Sequence, residues 1–281
     1  MLQNPMTRRQ LLILAALTLP AASKSIGLPK VRRPQKKGLC LTTKKRPPEE
    51  LAKFLKSVDA RWLYNWNLVP PDALLAGVEY IPMIYGGSFG VDKALARLKS
   101  QPTVRGRGEL LSFNEPDHHK QGNTTVEKAL EEWPKLEATG LRLGSPACVH
   151  PDNEWMKAFM KGVDERRLRV DFICMHSYGG PNADSLVKRI EQVHALYKRP
   201  IWITEFAVGD WKAKSPEANC HAPGKIAEFV AELLPRLEAM DIVERYCWFH
   251  GGVKSNALGT SALFKPDGSL TVVGEAYRSV G

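Results

Sequence analysis

The sequence predicts a single-domain (β/α)₈ TIM barrel over residues 38–281. Three observations predict it. Eight short runs of apolar, β-branched or aromatic residues recur along the chain, helical patterns separate them, and polar or aromatic residues gather at the C-terminal ends of many of the runs. A doubly wound sheet produces the same alternation. Against it, no Gly-rich phosphate loop follows the first run, and the polar tips belong to many different strands. The 281 residues and 43% hydrophobic content suffice for one such domain, and no internal repeat or second domain is visible.

The first residues, MLQNPMTRRQLLILAALTLPAASKS, place Arg8 and Arg9 before an apolar run, Leu11 to Leu19, and small residues after it. That is the layout of an export signal over 1–23. Thr-Arg-Arg-x-Leu-Leu looks like a twin-arginine signal of a bacterial exporter for folded proteins, with an ordinary Sec signal or a retained anchor as the alternatives. The run is short for a membrane span, so a periplasmic or extracellular protein free of the membrane is expected. A basic linker follows at 24–37. Part of the formal net charge of +10 lies in KVRRPQKK (30–37) and KKR (44–46). No aromatic residues interleave with these charges as single-strand binders require, so no nucleic-acid partner is expected.

The eight candidate strands are 38–43, 61–67, 79–85, 109–115, 141–147, 170–178, 200–206 and 245–251, each bounded by turn signals or charges. Between them, 48–57 places Leu51, Phe54 and Leu55 on one face. Thr124 and Glu127 read as a capping box ahead of KALEEWPKL. Residues 184–197 carry a stripe of Leu186, Ile190, Val193 and Tyr197 behind an Asp or Ser cap, and 224–240 carry Ile226, Phe229, Leu233 and Leu237. Residues 67–78 read as irregular or as a short helix, and 250–261 as the long loop after strand eight. Of the five cysteines, Cys40, Cys174 and Cys247 sit in apolar runs as small core fillers. Cys148 and Cys220 lie in loop-like sequence, where pairing after export stays open.

Parallel strands share one C-terminal face, the active-site end of this fold. That face collects Asn65, Trp66, Tyr85, Asn114, Glu115, His176, Tyr178, Glu205 and Trp248. Glu115 ends strand four and Glu205 strand seven, nearly across the barrel. Two opposed carboxyl groups are what glycosidic cleavage needs: one protonated to supply the departing oxygen, one ionised to act on the anomeric carbon. Aromatic rings supply a floor for the C–H faces of sugars, and Trp211, just past strand seven, is placed to line the cleft. Trp202 alternates away from Glu205 and is expected under a helix. Asp117, His118 and His119 lack helical ligand spacing and read as loop residues rather than a metal site. No metal or cofactor is expected, and nothing calls for more than a monomer.

SFNEPD, GLRLGSPA, VDFICMHSYG, RPIWITEFA and VERYCWF, in this order and spacing, resemble glycoside hydrolase family 128, β-1,3-glucanases of a large clan of retaining barrel enzymes. The resemblance spans about residues 38–250. It implies an endo-β-1,3-glucanase working by double displacement, with Glu115 as acid/base and Glu205 as nucleophile. It further implies that Asn114 binds the sugar 2-hydroxyl, Tyr178 orients the nucleophile and Trp248 floors a subsite. Ser177 stands where members often carry tryptophan. A same-clan glycosidase acting on another β-glycan and a non-catalytic carbohydrate-binding barrel are the alternatives.

Overall fold

The structure, a computed structural model, describes residues 36–43, 46–71, 74, 76–87, 90–100 and 108–280. The chain divides into units 1–33 and Pro34–Gly281, and all described residues belong to the second. The expected export signal at 1–23 and most of the expected basic linker lie outside the described residues.

The eight strands are β1 (Lys37–Cys40), β2 (Trp62–Tyr64), β3 (Glu79–Tyr80), β4 (Glu109–Asn114), β5 (Arg142–Ala147), β6 (Ile173–Ser177), β7 (Ile201–Phe206) and β8 (Val243–Phe249). Parallel pairing runs β3-β2-β1-β8-β7-β6 in one sheet and β4-β5 in another. Parallel bridges Met83–Leu111 and Gly144–Phe172 join the two sheets at both gaps. The ring is therefore closed, which settles the choice between barrel and doubly wound sheet. Helices α1 (Pro48–Ser57), α2 (Val91–Lys99), α3 (Val126–Glu137), α4 (Glu154–Glu165), α5 (Ala183–Tyr197), α6 (Pro223–Ala239) and α7 (Val272–Arg278) follow the strands, and no helix separates β2 from β3 among the described residues. None of the described helices is long and apolar enough to cross a membrane.

Local chemistry starts the helices close to where the patterns place them. The cap of α3 is Thr125, which accepts from the Lys128 amide at 3.2 Å, one residue later than expected. Thr124 instead donates to the Gly122 carbonyl. The cap of α5 is Asn182, accepting from the Ser185 amide at 2.8 Å, rather than Asp or Ser.

Two apolar layers form. Helix faces and outward strand residues make the outer one. The inner one takes Cys40, Tyr64, Met83, Leu111, Ala147, Cys174, Trp202 and Cys247 from the strand region and nothing from the helices, which marks it as the barrel interior. Trp202 thus packs inside the barrel, stacked on Phe172 at 4.1 Å, and not under a helix. The reason is a bulge: β6 and β7 pair Met175 with Ile203 but His176 with Glu205, leaving Thr204 as an extra residue. Strict alternation breaks there, so Trp202 and Glu205 face inward although they are three residues apart.

The N-terminal end is closed by charge. The Arg245 guanidinium lies 4.6 Å from the Trp202 ring centre and pairs with Glu79 at 2.7 Å. Arg142 pairs with Glu244, which also accepts from the Trp202 indole. Lys36 and Lys37 belong to this end as well, which corrects the last two residues of the solvated linker. Lys36 Nζ donates to the carbonyls of Leu237, Glu238 and Met240 at 2.8–2.9 Å, capping the end of α6. Arg245→Ala is expected to cost about 3 kcal/mol, because Trp62 and Trp202 lose the guanidinium packed on them and part-buried Glu79 loses its partner. The melting temperature should fall by roughly 6–12 °C, read by thermal denaturation. A shift within 2 °C, on the order of 1 kcal/mol or less, would remove this network from the account of stability.

Candidate active site

The C-terminal mouth opens into a cleft of about 1020 Å³. Glu115, just past β4, and Glu205, on β7, both line it. One side-chain ligand atom from each of Glu115, His176 and Glu205 lies within 4.8 Å of the others. The two acidic side chains, 90 residues apart in sequence, meet over one pocket.

Backbone geometry aims the acid on β4. Glu115 has φ of +39°, a left-handed conformation that costs a non-glycine residue energy and is typical of functional sites. Its amide donates to the Ala147 carbonyl at 2.8 Å, and the Asn114 amide donates to Tyr85 O at 2.7 Å. The following loop folds back so tightly that a Cβ on Gly122 would fall 2.2 Å from the Asn114 carbonyl oxygen, a position only glycine fits. Asp117 accepts from the Val149 amide and from Asn153, tying this loop to the start of α4 rather than joining His118 and His119. Those two imidazoles stack on each other at 5.0 Å.

Glu205 is held on both oxygens. Oε1 accepts from Trp66 Nε1 at 2.8 Å and from the Tyr64 hydroxyl at 3.0 Å, and Oε2 accepts from the Tyr178 hydroxyl. Burial first, and the Glu205 charge second, raise the pKa values of Tyr64 and Tyr178 well above that of a free phenol, so both stay donors. Trp66 also has a left-handed backbone, φ +58°.

His176 is buried between the two carboxylates. Nδ1 lies 3.1 Å from Glu115 Oε1, and Nε2 lies 3.5 Å from Glu205 Oε1. Nδ1 is hydrogen-bonded to Glu115, whereas the buried Nε2 faces Glu205 without a hydrogen-bond partner among the described residues. Burial lowers the imidazole pKa, but the charges of Glu205 and Glu115 and the hydrogen bond to Glu115 outweigh it, and the net shift is upward. A histidine whose folded pKa is raised contributes stability below its unfolded value of about 6.5 and loses it as pH climbs through the folded value. Wild type should therefore lose melting temperature above pH 6.5 more steeply than His176→Gln. Parallel curves for the two proteins would contradict the upward shift of His176.

The remaining expected residues divide. Trp211, 65% exposed, lines the cleft and meets the Tyr178 ring edge-on at 5.7 Å. Tyr85 lines it and donates to Gln121. Asn114 lines the cleft and is buried there, and its Oδ1 has no hydrogen-bond partner among the described residues. Asn65 lines the cleft, but its amide is engaged by Thr43 and Tyr80. Trp248 does not reach the cleft. It is fully buried, donates to Ser261 O at 3.0 Å and packs on Phe206 outside the barrel. On β8 the inward residues are Cys247 and Phe249, and Phe249 takes the floor position, edge-on to Trp66. Sequence reasoning missed Phe249, and it missed Tyr64, whose phenol sits inside the barrel with no local sign that it reaches strand seven. All five cysteines are free; Cys148 is buried and Cys220 exposed.

A family model described as glycosyl hydrolase catalytic core matches residues 38–277. A glutamate-to-glutamine variant of a subgroup I glycoside hydrolase family 128 endo-β-1,3-glucanase from Amycolatopsis mediterranei, solved with laminarihexaose, is 34% identical with a TM-score of 0.75, covering 88% of this chain and 99% of that one. A subgroup III curdlan-specific exo-β-1,3-glucanase from Blastomyces gilchristii, solved with glucose, is 28% identical with a TM-score of 0.67, covering 88% and 99%. Alkali-sensitive linkage protein 1 of Schizosaccharomyces pombe is 29% identical over 227 residues, 78% of this chain. The aligned region spans only 40% of that relative's length.

Proposed function

The chain is a glycoside hydrolase of family 128, and from that premise we propose that it is an exported endo-β-1,3-glucanase that retains anomeric configuration. The observation that carries this reading is the pair of opposed carboxyl groups, each with an oxygen within 4.8 Å of the other's, over a single cleft. That spacing suits direct attack by one carboxylate; an inverting enzyme needs about 6.5–9.5 Å to seat a water between them.

In the first step Glu205 attacks the anomeric carbon. The bond to the departing oxygen breaks, and Glu115 gives that oxygen a proton. In the second step Glu115 takes a proton from water, the water oxygen bonds to the anomeric carbon, and the ester electron pair returns to Glu205. Trp66, Trp211 and Phe249 offer ring faces or edges to the sugars. An endo mode is supported by the 34% identity to the subgroup I endo-acting relative. Export is proposed on the charged, apolar and small-residue order of residues 1–23.

The test is proton NMR of laminarin digestion beside a panel of mannan, xylan and cellulose. Oligosaccharides from laminarin, released first as the β-anomer, are expected. Release of the α-anomer first would overturn retention, and preference for another polymer would overturn the substrate.

A further inference from the structure

We propose that Tyr64 and Trp66 are positioning residues that commit Glu205 Oε2, and not Oε1, to attack on the sugar, and that they drive the second step of the reaction more than the first. The inference rests on the double-displacement reading above.

A carboxylate oxygen has two lone-pair sites in its plane. Both sites on Oε1 are used, one by the Trp66 indole N–H at 2.8 Å and one by the Tyr64 hydroxyl at 3.0 Å. Oε2 has Tyr178 alone, which leaves a lone pair free to form a bond. Tyr64 has a single proton and a second acceptor, Thr204 O, at the same 3.0 Å. The charged carboxylate is the stronger acceptor, so the proton favours Oε1.

Both donors are fixed in place. Tyr64 is fully buried, edge-on to Trp66 at 5.3 Å and stacked near Trp62 at 6.0 Å. Trp66 holds its strained backbone just past the end of β2. Among the described residues no lysine or arginine pairs with Glu205, whose hydrogen bonds come from three neutral donors.

The kinetic consequence follows from where charge lies. The free carboxylate is anionic on Oε1, whereas the glycosyl ester carries only a carbonyl oxygen there. The two donors therefore stabilise the free carboxylate most, the ester least and the transition states in between. Removing a donor lowers or leaves the barrier to ester formation and raises the barrier to its breakdown. When breakdown limits, kcat and KM fall together and kcat/KM holds.

Tyr64→Phe is the cleaner variant, because Tyr64 does not line the cleft; Trp66→Phe keeps a ring and removes the N–H. The probe is a dinitrophenyl β-laminaribioside, whose good leaving group makes ester formation fast, followed by stopped-flow release of dinitrophenol. Tyr64→Phe should show a burst equal to the enzyme concentration, with kcat and KM each lowered roughly tenfold and kcat/KM nearly unchanged. Trp66→Phe should move in the same direction and carries the test if the first variant does not fold. A fall in kcat/KM without a burst, or unaltered kinetics, in a folded variant would overturn the proposal. If wild type itself releases no sugar from laminarin, the double-displacement reading fails instead.

Discussion

Glu205→Ala is expected to lower laminarin hydrolysis by roughly 10⁴-fold or more, on the scale seen when an enzymatic nucleophile is removed. The protein should remain folded. Tyr64, Trp66 and Tyr178 each lose a neutral-donor bond to Glu205, and His176, which faces it at 3.5 Å, keeps its hydrogen bond to Glu115. The cleft left behind can admit a small anion. Azide should therefore restore turnover of an activated β-glucoside, entering from the face that Glu205 occupied and giving the α-glycosyl azide. Product stereochemistry makes the test specific: an α-azide requires that the missing group stood opposite the leaving group. Retention of a tenth of wild-type laminarin hydrolysis, or a β-azide, would remove Glu205 from the nucleophile's role.

Much of this arrangement was legible in the sequence, and the failures have physical causes. The eight strands were legible because strands packed on both faces read as apolar runs, and Glu115 and Glu205 broke those runs at their ends. The helices at Val91–Lys99, Glu154–Glu165 and Val272–Arg278 went unassigned beside stronger patterns. Strand phase was the weaker inference. One bulged residue, Thr204, reverses the side-chain alternation on β7 and carries Trp202 into the barrel. On β8 the strand pattern points to Trp248 as the inward aromatic, but the phase set by Cys247 puts Phe249 inward and Trp248 outside. Lys36 and Lys37 carried the composition of a linker, yet their ammonium groups cap helix ends at the base of the barrel. Composition does not reveal a partner some 200 residues away, and Tyr64 was missed for the same reason.

The site itself joins features that no single stretch encodes. Glu115 and Trp66 occupy left-handed backbone conformations, and both side chains point to the same small volume. Strain of this kind persists only where the surrounding structure over-determines it. Here the closed barrel supplies that constraint: Tyr64 on β2 and His176 on β6 set polar groups against Glu205, which β7 carries, and His176 also bonds Glu115 just past β4.

Glu115→Gln should separate the two steps by leaving group. With laminarin the departing sugar hydroxyl needs a proton, so loss of the general acid should slow hydrolysis about 10²–10⁴-fold. A dinitrophenyl glycoside leaves without that proton, so its first step should stay near the wild-type rate. The second step still needs a base to activate water, and glutamine offers none. The glycosyl-enzyme then accumulates, giving a burst and a low KM. Azide needs no base and should discharge the ester from the water's side, yielding the β-glycosyl azide, the opposite anomer to that from Glu205→Ala. Glutamine also preserves the reach toward His176 Nδ1, 3.1 Å away in the wild type, so a general collapse of the site is not the expected cause. Equal slowing of laminarin and the dinitrophenyl substrate, with no azide product, would mean that Glu115 does not carry the proton. The two glutamates would then have to exchange roles or share one, and the opposite azide anomers are what distinguish those arrangements.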